Sequence, residues 1–73
     1  MKWFLRVGGD TYEQMEQHKT LKDAKDSYFA GASQLARWGQ ELDAVVYREG
    51  NDGDYPDYVL SLGPKGGLKC ERA

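Results

Sequence analysis

Hydrophobic residues recur along this chain at two periods, and each period marks a kind of element. At the start, Trp3, Leu5 and Val7 alternate with Phe4 and Arg6, the two-residue repeat of a strand, and Gly8-Gly9-Asp10 supplies the positive φ angles that a tight turn needs. The next stretch, "TYEQMEQHK", is polar, and its Glu, Gln and Met residues also favour helix. A return strand over residues 11–18 is the preferred reading. The turn separates two runs of similar length, and the following segment carries its own helix-start signal.

That signal is Thr20, an N-cap residue whose hydroxyl accepts from a first-turn amide, with Asp23 placed to complement the helix dipole. Leu21, Ala24, Tyr28, Gly31, Leu35 and Trp38 then follow at spacings of three and four, one apolar stripe ending in Leu35 and Trp38 as expected core residues. Gly39 stands where a left-handed residue closes a helix. Ala30, Gly31 and Ala32 are small enough to let the helix approach a sheet closely, although the glycine costs roughly 1 kcal/mol of helix propensity relative to alanine.

Beyond the helix, "DAVVYREG" and "DYVLSLG" are β-branched and aromatic, the composition of strands, and "NDGDYP" between them is a polar turn. "LKCER" can pair as a short final strand once Gly63 to Gly67 has turned the chain. The order β-β-α-β-β with a short last β predicts an α+β domain over residues 1–73, one helix packed on an antiparallel sheet in two layers. One helix covers one face, so the strands should read apolar on one side only. Yet Val45, Val46 and Tyr47 are consecutive, as are Tyr58, Val59 and Leu60, and Phe4 lies between Trp3 and Leu5. Something must cover the second face: either loops of the same chain, the acidic turn among them, or a docked partner or second copy.

Composition narrows the chemistry. A domain of 73 residues buries only roughly 60% of the surface its unfolded chain exposes, so it has little room for a deep catalytic cleft. One cysteine, Cys70, excludes an internal disulfide, and with the single histidine, His18, it cannot assemble a Cys/His metal cluster. The lone thiol and the short, charge-interrupted apolar start fit a cytoplasmic protein without signal peptide or membrane span. Ten basic residues against twelve acidic ones argue against a protein that coats nucleic acid by neutralising phosphates. The charge is unevenly spread. Glu41, Asp43, Glu49, Asp52, Asp54 and Asp57 cluster with Arg48 alone among them, whereas Lys65, Lys69 and Arg72 follow with only Glu71.

Three segments invite a specific chemistry. "LGPKGG" has the glycines and lysine of a phosphate loop, but not the spacing or the following helix; Pro64 removes an amide donor, and a β-turn explains the residues better. "EGNDGDYPD" gathers Asn51, Asp52, Asp54 and Asp57 without the register of a calcium loop, so no metal and no cofactor is expected; a solvated acidic loop joining two strands is the better reading, with an acidic patch for a basic partner as the runner-up. His18 and Cys70 carry no spacing that marks a nucleophile and its base, and the chain is not expected to be an enzyme.

The string Tyr55-Pro56-Asp57-Tyr58-Val59-Leu60-Ser61-Leu62-Gly63-Pro64-Lys65-Gly66-Gly67 resembles the ending of small bacteriophage and prophage open reading frames, and Lys2-Trp3-Phe4-Leu5-Arg6 and Thr20-Leu21 resemble them more weakly. The resemblance carries no activity or site residues. It implies a phage accessory protein that binds and inhibits or redirects a host protein, as anti-CRISPR and other anti-defence factors do. The expected contact residues are Phe4 and Tyr58 as apolar anchors, with Asp52, Asp54 and Asp57 steering toward a basic surface. Two alternatives stand beside this. One is a small nucleic-acid-binding regulator using Arg6, Lys65, Lys69 and Arg72, with Phe4 and Tyr58 as stacking platforms. The other is a self-associating domain, a homodimer with no ligand.

Overall fold

In the computed structural model, which describes residues 1–8 and 14–73, the strands β1 (Trp3–Val7), β2 (Glu16–His18), β3 (Ala44–Arg48), β4 (Tyr58–Leu62) and β5 (Leu68–Arg72) form one antiparallel sheet in the order β2-β1-β3-β4-β5. The helix α1 (Leu21–Arg37) packs against it. This is the expected two-layer α+β fold with the short fifth strand present. Of the return strand expected over residues 11–18, Glu16–His18 is observed, paired with β1 through Trp3↔His18 and Leu5↔Glu16. Residues 9–13, which include most of the Gly8-Gly9-Asp10 turn, lie outside the described residues.

The helix ends are built as the sequence implies. The Thr20 hydroxyl accepts from the Asp23 amide at 3.0 Å. At the other end Trp38 is the cap and Gly39 takes φ +74°. The Gly39 amide donates to the Ala36 carbonyl and the Gln40 amide to that of Leu35, the paired bonds of a Schellman ending.

The stripe itself needs two corrections. Ala24, Tyr28 and Ala32 are buried, flanked by the part-buried Leu21 and Leu35, whereas Gly31 is exposed and a Cβ built there meets nothing within 4 Å. Close approach to the sheet is therefore the work of Ala24 and Ala32. Trp38, expected in the core, is 81% exposed. At 100° per residue, position 38 lies well to one side of the line through Ala24, Tyr28 and Ala32, and the helix stops before another turn could bring the sheet beneath it.

On the sheet, Leu5, Val46, Ala44 and Leu60 are buried beneath the helix, with Trp3, Val7, Tyr58, Leu62 and Cys70 packed around them. All belong to one face, as the register Leu5↔Val46, Ala44↔Leu60 and Leu60↔Cys70 requires. Tyr28 reaches through this core and donates its hydroxyl to the Leu42 carbonyl at 2.5 Å, tying the helix to the segment that enters β3. Burial, with the Asp43 carboxylate nearby, raises the Tyr28 phenol above its ordinary pKa. Among the described residues no helix is long and apolar enough to cross a membrane.

Gly31→Ala and Gly39→Ala should therefore move stability in opposite directions. The first swaps an exposed, right-handed helical glycine for a better helix former and should gain about 0.5–1 kcal/mol. The second forces a left-handed alanine and should lose about 1–2 kcal/mol. Trp38→Ala should stay within about 0.5 kcal/mol of the parent. Urea denaturation of the three variants checks all three, and a large loss in Trp38→Ala would place that ring in the core after all.

Candidate functional site

The acidic turn between β3 and β4 is the most highly organised loop among the described residues, and its order comes from short polar side chains. Gly50 at φ +92° lets the chain reverse, with the Asn51 amide donating to the Arg48 carbonyl at 2.9 Å. Asn51 then acts as the hub. Its Oδ1 accepts from the Gly53 amide at 2.7 Å, and its Nδ2 donates to the Tyr55 carbonyl at 2.8 Å and to Asp57 Oδ2 at 3.0 Å. Asp52 repeats the motif by accepting from the Asp54 amide at 3.1 Å. Asp57 closes the loop: its Oδ2 accepts from the Arg48 amide at 2.6 Å and its own amide donates to the Val46 carbonyl at 2.8 Å. At the sheet margin the Lys2 amide donates to Glu49 Oε2 at 3.0 Å, which pins the loop's first residue to the strand beside it.

These contacts divide the expected acidic site. Asp57 is part-buried and committed to the loop's own framework. The Arg48 amide, then the Asn51 side chain, lower its pKa below the ordinary carboxylate value. Asp52 and Asp54 are exposed, and between them and Pro56 stands Tyr55, 81% exposed. Sequence reasoning gave Tyr55 no role and weighed Asn51 only as an oxygen ligand, not as the hub of the loop. The signal for Asn51 was its position two residues ahead of Gly53, the spacing of an Asx turn.

The two aromatic residues named as candidate anchors are on opposite faces. Tyr58 lies on the helix side, half-buried, its ring 6.0 Å from that of Trp3. Phe4 points the other way, also half-buried, where Phe4, Met15 and Tyr47 line a hollow of about 270 Å3 with Asn51, Asp52 and Gly53. Tyr47 is only 5% exposed although it faces away from the helix. The acidic turn thus borders the aromatic residues of the second face, beside the hollow that they share.

The basic residues of the nucleic-acid reading do not assemble either. Arg6 and Lys69 share the helix-free face but stand on β1 and β5 with β3 and β4 between them; Arg72 belongs to the helix face, and Lys65 sits in the hairpin beyond β4. That hairpin answers the phosphate-loop question. The Gly63 amide donates to the Gly67 carbonyl at 2.7 Å and the Gly66 amide to the Gly63 carbonyl at 2.9 Å, so the loop closes on itself, with Gly66 at φ +82°. His18 and Cys70 lie on β2 and β5, the two edges of the sheet, and form no dyad. Instead His18 Nε2 lies 3.0 Å from Glu16 Oε1, and the same oxygen accepts from the Ser27 hydroxyl at 2.7 Å, joining β2 to the helix. Among the described residues, no three His, Cys, Asp or Glu side chains come together as a metal site.

What fold and site define is a small α+β domain with a structured acidic loop at one end of its sheet. No protein family, curated protein or solved structure matches the chain.

Because the Asp57 pKa is lowered on folding, its ionised form contributes stability that is present above the unfolded value of about 3.8 and is lost as pH falls through the lower folded value. Denaturation midpoints should therefore drop on acidification below about pH 4, and Asp57→Asn should be less stable at pH 7 and flatten that acid limb. An unchanged limb in Asp57→Asn would assign the acid sensitivity to other carboxylates. Hydrogen exchange of the Arg48 amide, accelerated in the variant, locates the effect in the loop.

Proposed function

We propose that this chain works by stoichiometric binding rather than catalysis, and that the loop from Glu49 to Asp57 is its contact with a basic site on a partner protein. The observation that carries this reading is order without burial. The loop is fixed by the hydrogen bonds centred on Asn51 and Asp57, yet it leaves Asp52, Asp54 and Tyr55 in solvent. Fixing a loop before binding removes part of the conformational cost of association. Two exposed carboxylates supply long-range attraction to a positive surface, and an exposed tyrosine supplies a flat amphipathic anchor that stacks on arginine. The resemblance of residues 55–67 to phage reading frames points to the kind of partner, a host protein whose basic surface serves nucleic acid.

The nucleic-acid alternative loses support from the scatter of Arg6, Lys65, Lys69 and Arg72 over two faces and a hairpin tip. Phe4 and Tyr58, half-buried on opposite faces, cannot form one stacking platform.

The test leaves Asp57 in place, since its loss disturbs the loop. Capture from host lysate with the parent chain identifies the partner, whose binding rates are then measured. Asp52→Lys combined with Asp54→Lys should slow association at least several-fold at low salt with the thermal melt unchanged, because exposed loop charges contribute little to stability. Tyr55→Ala should instead speed dissociation. A partner bound equally well by both variants removes the loop from the interface. A gel shift with DNA or RNA that disappears on replacing Lys65, Lys69 and Arg72 would establish the nucleic-acid reading in its place.

A further inference from the structure

β5 is an edge strand, and its outer side carries a pattern that fits a second copy of itself. The hydrogen bonds at the two ends of the β4–β5 ladder, Gly63 amide to Gly67 carbonyl and Ala73 amide to Asp57 carbonyl, fix which residues of β5 face inward. Pairs alternate between bonded and non-bonded along an antiparallel ladder. With Tyr58↔Arg72, Leu60↔Cys70 and Leu62↔Leu68 in register, Lys69 and Glu71 bond to β4, while Leu68, Cys70 and Arg72 turn their amides and carbonyls outward. An antiparallel partner strand must therefore meet those three residues.

For a second β5 related by a two-fold axis, one register uses all three. Centred on Cys70, it pairs Cys70 with its own copy and Leu68 with Arg72 in both directions, giving about six backbone hydrogen bonds across the joint. A slip of two residues either way loses one of the three pairs. That same register sets Lys69 opposite Glu71 of the second copy, twice, on the helix-free face. Within one chain these two side chains already lie 3.5 Å apart and exposed, so the self-paired edge builds a four-charge ladder of alternating sign. Lysines on an edge strand ordinarily repel another edge. Here the alternation removes that repulsion for one partner and one register only.

The surroundings leave the edge open. The cluster beneath the helix is centred on β1, β3 and β4, and β5 contributes to it only the part-buried Cys70, while Leu68 is 37% exposed. We infer that the chain forms a two-fold dimer by antiparallel pairing of β5 with β5 of a second copy, centred on Cys70, in one continuous ten-stranded sheet. This is independent of the acidic loop, which lies between β3 and β4. A joint of five-residue strands is smaller than a standard interface, so the dissociation constant should fall in roughly the micromolar-to-millimolar range.

Sedimentation equilibrium on the parent, Lys69→Glu, Glu71→Lys and the double variant decides the matter, with circular dichroism to verify the fold of each. Each single reversal places like charges opposite each other twice per dimer and should raise the dissociation constant roughly tenfold or more; the double reversal restores opposite charges and should return it close to the parent value. A short bis-maleimide should join the Cys70 thiols of the parent and double variant and fail with the singles. A parent that stays monomeric up to millimolar concentration overturns the proposal, as does a dimer indifferent to Lys69→Glu. A dimer weakened by the single reversals and not recovered in the double overturns the register.

Discussion

The constraint from which this structure follows is geometric: one helix must cover a sheet of five strands. A helix with its side chains is roughly 10 Å wide, and five strands span about 19 Å between the axes of the outermost two. The helix therefore sits over the middle of one face, where Ala24 and Ala32 allow contact and Tyr28 fills the space between Leu5, Val46 and Leu60. Everything outside that footprint has to be resolved otherwise. β2 is tied down through the Glu16 carboxylate to Ser27, β5 is left with a half-bare helix side, and the reverse face receives no helix among the described residues.

On the reverse face the acidic turn lies beside the aromatic residues of β1 and β3. Its glycines and asparagine give it a fixed path, and Asn51, Asp52 and Gly53 border one hollow with Phe4, Met15 and Tyr47. The loop is held at both ends, by the Lys2 amide on Glu49 and by Asp57 on the Arg48 amide and Asn51 side chain. The side chains left pointing outward, Asp52, Asp54 and Tyr55, inherit that order. The contact surface proposed for this chain therefore lies at the end of the sheet and not on its open face.

The elements with a strong local signal were legible in the sequence: the Thr20 cap, the Gly39 ending, the β-branched strands and the Gly63–Gly67 hairpin each depend on residues within a few positions of one another. What the sequence hid was direction. Trp38 continued a stripe at the right spacing, but its burial depended on whether the sheet extended beneath the helix terminus, and a period carries no such information. Phe4 and Tyr58 looked alike as aromatic residues on two-sided strands; the register that sets them on opposite faces is a property of pairing between β1, β3 and β4. Asp57 was grouped with Asp52 and Asp54 by composition, and the Arg48 amide and Asn51 side chain separate a part-buried structural carboxylate from two exposed ones.

The same limits of size connect the edge strand to the rest. A chain of this length retains little stability beyond its entropic cost, and neither a disulfide nor, among the described residues, a metal site supplements the core. The strand least supported by the helix is β5, which is held on one side by β4 alone. Pairing that edge with its own copy, as proposed, would give partners to the outward backbone groups of Leu68, Cys70 and Arg72 and would draw on the unfolded-to-folded equilibrium by mass action, so the folded state would gain most where the protein is concentrated. In the proposed dimer, two-fold symmetry would set the two acidic loops at opposite ends of the β5 pair, each next to the Arg72 end of its own strand, because the Ala73 amide donates to the Asp57 carbonyl. Association through the edge and recognition through the loop would then draw on different segments of the chain, Leu68–Arg72 for the first and the turn between β3 and β4 for the second.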